Sequence, residues 1–243
     1  MIEVRQLVKQ FRDNKRGIVR AVDGVSFSCR PGEIYGLLGA NGAGKTTTLR
    51  ILATILAPSE GTAVVAGYDV AKNSQMVRER VGFLSTATAL YGRLTAREMV
   101  EYFGRLHGLD ETTLRRRIDE IFQRLEMNDF RDRRCDKLST GMKQKVSIAR
   151  TLVHDPSVMI FDEPTVGLDV MAARTITAFI RECRDSGKTV VFSTHVMSEA
   201  EKLCDQIGII HDGKLLAEGT LPQLRARYGI HDLEDLFVKV VES

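Results

Sequence analysis

Gly39-Ala40-Asn41-Gly42-Ala43-Gly44-Lys45-Thr46-Thr47 fits the pattern G-x-x-x-x-G-K-[ST] without a mismatch, and its flanks decide what fold can carry it. The apolar run Ile34-Tyr35-Gly36-Leu37-Leu38 leads in as a buried strand, and Thr46 to Leu56 follows with helix-compatible residues. Strand, glycine-rich turn and helix in that order make a phosphate cradle. The glycines let the backbone turn N–H groups inward, at the positive end of the helix dipole. Lys45 brings a full positive charge for terminal phosphates, and the Thr46 hydroxyl suits the magnesium that travels with them. Gly39, Asn41, Gly42, Gly44, Lys45, Thr46 and Thr47 are therefore candidate nucleotide-binding residues. A chance match in a glycine-containing turn is the alternative, and the flanking strand and helix count against it.

The 243 residues suffice for one large domain or two small subdomains sharing a core, and 43% hydrophobic with 28% charged residues describes an ordinary soluble globular chain. A formal charge of +3 gives no nucleic-acid footprint, because clusters such as Arg115-Arg116-Arg117 alternate with acids, and no nucleic-acid partner is expected. Cys29, Cys135, Cys183 and Cys204 lack C-x-x-C spacing and no signal peptide is evident, so reduced thiols in a cytosolic protein are expected. No apolar run approaches the roughly 20 residues that span a bilayer.

Upstream of the loop, Ile2 to Arg5 and Ala21 to Ser28 alternate like strands around a polar turn at 12–17, an antiparallel start. Downstream come a strand at Thr62 to Val65, a short helix near Met76 to Arg80 and a strand at Val81 to Leu84. Thr95-Ala96-Arg97-Glu98 is a capping box, and Leu114, Ile118, Ile121, Phe122 and Leu125 recur at helical spacing, so residues 90–152 read as a helical insertion. Val158 to Phe161 and Thr189 to Phe192 read as strands on either side of a helix from Val170 to about Asp185 that Gly187 can end; that spacing implies a parallel sheet. A hairpin at Asp212-Gly213 and two short helices, the last with Leu233, Leu236, Phe237 and Val240, close the chain.

Asp162-Glu163 ends one of these strands. A carboxylate leaving the C-terminal edge of a parallel sheet can reach the magnesium beside a phosphate loop, and the next one can orient or deprotonate a water. Two acids that merely cap a strand end are the alternative. Further along, Leu138-Ser139-Thr140-Gly141-Met142-Lys143-Gln144-Lys145 resembles the Leu-Ser-Gly-Gly-Gln signature of ATP-binding cassette (ABC) proteins. Gly167-Leu168-Asp169 is similar to that family's D-loop and Ser193-Thr194-His195 to its switch histidine, so the resemblance covers nearly the whole chain. The wording of the signature, with Gly167 to Arg174, looks most like sodium-export (NatA-type) cassettes and their drug-export relatives.

The resemblance implies an α/β P-loop NTPase core with a mostly parallel sheet, an N-terminal antiparallel β subdomain and an inserted α-helical subdomain. It implies a single ABC ATPase domain over 1–243: core at 1–86 and 155–220, helical subdomain at 87–154, and a C-terminal helical extension at 221–243. It implies that ATP and Mg2+ bind, and that two cassettes, a second copy or a paired chain, close head to tail. The phosphate loop of one then faces Ser139 and Gly141 of the other. Glu163 would be the general base or water-positioning residue, Asp162 and Thr46 the magnesium partners, and His195 and Lys45 donors to the terminal phosphate. Phe11 would stack on adenine, with an inward-facing core Phe as the alternative; Ser139 could instead be only a helix N-cap, and Asp169 a seam residue, an N-cap or both. Thr86 stands where the family has a magnesium-contacting glutamine, and its shorter side chain puts direct coordination in doubt. Thr140 and Met142 replace a signature glycine and glutamine, which matters if position 140 needs a positive φ. Membrane-spanning permease subunits would be the transport partners, with the cassette cytoplasmic and peripheral on the inner face of the membrane, and export is implied by wording. The alternative is a soluble ABC-type ATPase not coupled to a transporter.

Overall fold

The computed structural model describes residues 1–13, 17–85 and 89–242. In chain order the elements are β1 (Ile2–Asp13), β2 (Gly17–Cys29), β3 (Ile34–Leu38), α1 (Lys45–Leu52), β4 (Glu60–Val65), β5 (Tyr68–Asp69), α2 (Ser74–Arg78) and β6 (Val81–Ser85). There follow α3 (Ala96–Leu106), α4 (Glu111–Arg124), α5 (Thr140–Leu152), β7 (Val158–Asp162), α6 (Val170–Asp185), β8 (Thr189–Thr194), α7 (Met197–Leu203), β9 (Gln206–His211), β10 (Lys214–Gly219), α8 (Leu221–Tyr228) and α9 (Leu233–Glu242).

Two sheets form. β2-β1-β4-β5 is antiparallel; β10-β9-β3-β8-β7-β6 is parallel except for the antiparallel edge strand β10. β3, β7 and β8 are buried along their whole length, as strands covered on both faces must be. Their alternation divides the core. Val158 and Ile160 of β7 and Val191 of β8 point toward α1 and the antiparallel sheet; Met159, Phe161, Val190 and Phe192 point toward the helical portion. A third cluster joins β9 and Ala200 of α7 to Leu233, Leu236 and Val240, so the apolar stripe of α9 packs on the chain's own core.

The helical ends follow local chemistry. Thr95 N donates to Glu98 at 2.8 Å and Glu98 N to the Thr95 hydroxyl at 3.1 Å, closing the expected capping box. Gly187 ends α6 in a left-handed conformation, with its N–H on the Arg184 carbonyl at 2.8 Å. The hairpin turn falls at Asp212-Gly213, both with positive φ.

Several boundaries differ from expectation. α1 stops at Leu52, not Leu56, because Thr54 turns left-handed (φ 58°) and the N–H groups of Ile55 and Leu56 fold back onto the Arg50 carbonyl. α2 lies two residues earlier than expected. β1 and β2 run longer than their alternation, because register shifts break the period of two.

Candidate functional site

The site lies where the C-terminal ends of β3, β7 and β8 come together. Leu38 pairs with Thr194, and Asp162 with Ser193. The sheet register thus sets three loops side by side: the one after β3, the one after Asp162, and the one holding His195. The first is held to its neighbours through the backbone: Gly39 N donates to the Thr194 carbonyl at 3.3 Å, and Gly213 N to the Ala43 carbonyl at 3.0 Å. Gly44 is required twice over. Its φ is 106°, and a Cβ there would stand 2.4 Å from the Ala21 carbonyl oxygen. It precedes α1 with no side-chain cap, so the N–H groups of the first turn are directed at whatever binds there.

Lys45 is 3% exposed. Its Nζ donates to the carbonyl oxygens of Gly39 at 2.7 Å and Ala40 at 3.0 Å and sits 3.0 Å from Glu163 Oε1, so three oxygens surround the ammonium. Asp162, also buried, accepts from the Thr46 hydroxyl at 2.9 Å and the Ser193 hydroxyl at 3.0 Å. Glu163 has a left-handed backbone (φ 45°), and its N–H donates to Ser193 Oγ at 3.0 Å. His195 Nδ1 lies 3.4 Å from Glu163 Oε1. Burial raises the Glu163 carboxyl, but the Lys45 ammonium and then His195 outweigh it and hold the group below its ordinary value. Glu163 is accordingly ionised at neutral pH, an acceptor beside a fixed cation.

Asn41, Gly42, Gly44, Lys45, Thr46, Thr47 and Glu163, with Ala21 of β2, line a cavity of about 210 Å³. Gly39 contributes its carbonyl from behind. Phe11 is not in the core: it is 40% exposed near the end of β1, paired with Val19 and with Lys9 Nζ 5.3 Å from its ring centroid. The inward-facing alternative is thereby corrected.

Ser139 and Gly141 are not brought to this cavity. They line a different one, of about 440 Å³, with Gln144, Lys145, Asp169 and Met171. Ser139 is the N-cap of α5, accepting from Met142 N at 3.3 Å, and Asp169 caps α6, accepting from Ala172 N at 2.9 Å. Thr140 is the first residue of α5 and has no positive φ, so its replacement of glycine puts no strain on the backbone here. Thr86 lies outside the described residues. Sequence reasoning passed over Ser193, which touches both Asp162 and Glu163; its place directly before Thr194 and His195 was the available signal.

The ABC transporter family matches residues 22–166 of the chain. The chain is 42% identical to the ABC transporter ATP-binding protein NatA of Bacillus subtilis (strain 168), covering 98% of this chain and 97% of that one. It is 36% identical to the daunorubicin resistance ATP-binding protein DrrA3 of Streptomyces coeruleorubidus, over 89% of this chain and 69% of that one. Among solved structures, an ATP-binding subunit of an ABC transporter superposes with a TM-score of 0.87 at 29% identity, covering 99% of both chains. The cassette MJ0796, a dimer in a post-hydrolysis state bound to ADP and Pi, superposes with a TM-score of 0.80 at 26% identity, over 90% of this chain and 98% of that one. With a phosphate loop, a buried lysine and paired carboxylates at one sheet edge, and likeness along almost its whole length, the chain belongs to the ABC transporter family as an ATP-binding and ATP-hydrolysing subunit.

Proposed function

We propose that this subunit binds ATP with its terminal phosphates in the cavity of the phosphate loop, pairs head to tail with a second cassette, and uses hydrolysis to drive export through membrane-spanning partners. The observation that carries the reading is the Lys45–Glu163 contact, 3.0 Å long at the floor of a cavity lined by the loop. A polyphosphate entering there offers Lys45 stronger acceptors than one carboxylate oxygen. As Lys45 turns to phosphate, Glu163 loses the partner that holds its proton affinity down and becomes free to orient and deprotonate water. His195, beside Glu163, donates to the terminal phosphate.

Asp162 is a buried carboxylate with two hydroxyl donors and, among the described residues, no ion pair. That donor set suits a hard dication completed by phosphate and water oxygens, so Thr46 and Asp162 would hold Mg2+. When bound, it neutralises charge across the phosphate oxygens. Phe11 would stack on adenine, a reading supported by its exposure on the strand pair that also supplies Ala21 to the cavity.

Pairing is supported by the separation of Ser139 and Gly141 from Lys45 within one chain, since a second copy can supply what the first does not bring to its own cavity. It is supported too by Val166, Val170 and Met171, which flank Asp169 and expose 43%, 75% and 69% of their surface. Export is inferred from the NatA and DrrA3 likenesses. Among the described residues no helix is long and apolar enough to cross a membrane, which fits a subunit that works through separate permease chains on the inner face.

The test is Glu163→Gln, which removes the proton acceptor and keeps the shape. Hydrolysis should fall about 100-fold or more, with ATP still bound and the mass in solution doubling only with magnesium and ATP. Parental hydrolysis would overturn the role of Glu163, and a monomer that binds ATP at every concentration would overturn self-pairing.

A further inference from the structure

Glu199, in the first turn of α7, spends both carboxylate oxygens on threonines from two different loops. Thr165 Oγ1 donates to Oε1 at 2.6 Å and Thr194 Oγ1 to Oε2 at 2.8 Å, short distances typical of hydroxyls held by a carboxylate. Thr194 also accepts from Val196 N at 2.9 Å, so its hydroxyl pins the backbone on both sides of His195. Both threonines are buried, Thr165 at 9% and Thr194 at 2% exposure. Thr165 is two residues beyond Glu163 and four before Asp169, and the segment between is a pair of tight turns: Val166 N reaches the Glu163 carbonyl at 3.3 Å and Leu168 N the Thr165 carbonyl at 3.1 Å. The carboxylate does not cap α7, whose N-cap residue, Val196, makes no side-chain cap.

We propose that Glu199 is a positioning residue that ties segment 163–169, which carries Glu163 and leads to the apolar surface assigned above to the second cassette, to segment 194–196, which carries His195. The inference rests on that reading of Glu163, His195 and pairing. A displacement of Thr165 by a partner cassette pulls on Oε1; the same rigid carboxylate moves Oε2 and with it Thr194. Glu163 and His195 thereby keep their mutual geometry, the 3.4 Å approach across Oε1 and Nδ1, through closure and opening. A side chain on a surface helix, outside the phosphate cavity, so acts on the reaction through two neighbours.

The test is steady-state ATP hydrolysis with nucleotide binding measured alongside, for the parent, Glu199→Ala, Glu199→Gln, Thr165→Val, the Thr165→Val/Glu199→Ala pair, and Glu163→Gln. Glu199→Ala should lower kcat about 10–100-fold, the scale of a misplaced reacting group, with KM for ATP within about twofold. Glu199→Gln should recover most of the rate, because its amide oxygen accepts from one threonine and its N–H donates to the other. Thr165→Val should slow hydrolysis alone and add nothing in the Glu199→Ala background, since the link is already cut. Should Glu199→Ala not fold, Thr165→Val and Glu199→Gln carry the same expectations. Parental kcat in Glu199→Ala, losses that multiply in the pair, or an effect confined to KM would overturn the proposal. A Glu163→Gln protein with parental kcat would instead remove the reading of the site on which it rests; an inactive Glu163→Gln beside an unimpaired Glu199→Ala would remove only the role of Glu199.

Discussion

His154 should make the fold acid-labile by an amount the structure sets. Its Nε2 lies 3.1 Å from the Val81 carbonyl oxygen, so the neutral ring carries its proton there, and Nδ1 is buried with no hydrogen-bond partner among the described residues. Its ring stacks on His107, with centroids 3.6 Å apart and planes parallel. A second proton would place a charge on the unpartnered nitrogen. Burial above all, then the His107 ring, and also Lys188 push His154 down from 6.5 to about 4, against the Val81 carbonyl and Asp155, which act the other way. A base depressed in the folded state takes up its proton there later than in the unfolded chain as pH falls. Its contribution is whole above about pH 6.5 and is lost on descending to about pH 4. At about 1.4 kcal/mol per pH unit this amounts to about 3.5 kcal/mol, most of it gone by about pH 4.5. Urea unfolding of the parent and of His154→Gln, whose amide can still donate to Val81, should be compared at pH 7 and pH 4.5. The parent should lose about 2.5 kcal/mol more than the variant between the two, because acids elsewhere titrate equally in both. Equal losses would refute the argument, and would mean that water reaches Nδ1 or that the ring charges in place at no cost.

Other expectations concern the phosphate cavity. Lys45→Ala removes a buried cation from a polyanion site and should weaken ATP binding by about 1.5–3 kcal/mol; calorimetry that finds the parental affinity would remove Lys45 from the site. Phe11→Ala should reduce ATP affinity by about 1–3 kcal/mol through lost stacking, with the thermal midpoint of the free protein unchanged because the ring is exposed. A lower midpoint with parental affinity would assign the ring to packing instead.

What could be read from the sequence and what could not divide along a physical line. Residues contiguous in sequence and fixed by local geometry were legible: the loop at Gly39 to Thr47, the acids at the end of β7, the capping box at Thr95, and Gly187 closing α6. The long strands β1 and β2 were only half visible because Gln6 (φ 47°) and Gly24 (φ 72°) interrupt their alternation. There the Gln6 N–H leaves the ladder for the Ser26 hydroxyl at 2.8 Å. Helix α7 is too short for its seven residues to show periodicity. Ser193, Thr194 and Glu199 were unassigned for a different reason: their hydrogen bonds join segments that pattern cannot align. Phe11 shows the limit of residue type, since an aromatic in a strand reads equally as core or surface until its pairing with Val19 is known.

The position of β3 has a consequence for how the chain is made. This early strand is hydrogen-bonded on one side to β8 and on the other to β9, both from the last quarter of the sequence. During synthesis at about 5–20 residues per second, Leu38 emerges roughly 10–30 seconds before its neighbours exist. For that interval the segment leading into the phosphate loop is an apolar strand with two open edges, the kind of surface that chaperones hold. The antiparallel strands β1, β2 and β4 can pair with one another in the meantime. The proposed ATP site is therefore among the last parts of the molecule to be completed, although most of the residues assigned to it are among the first to be translated.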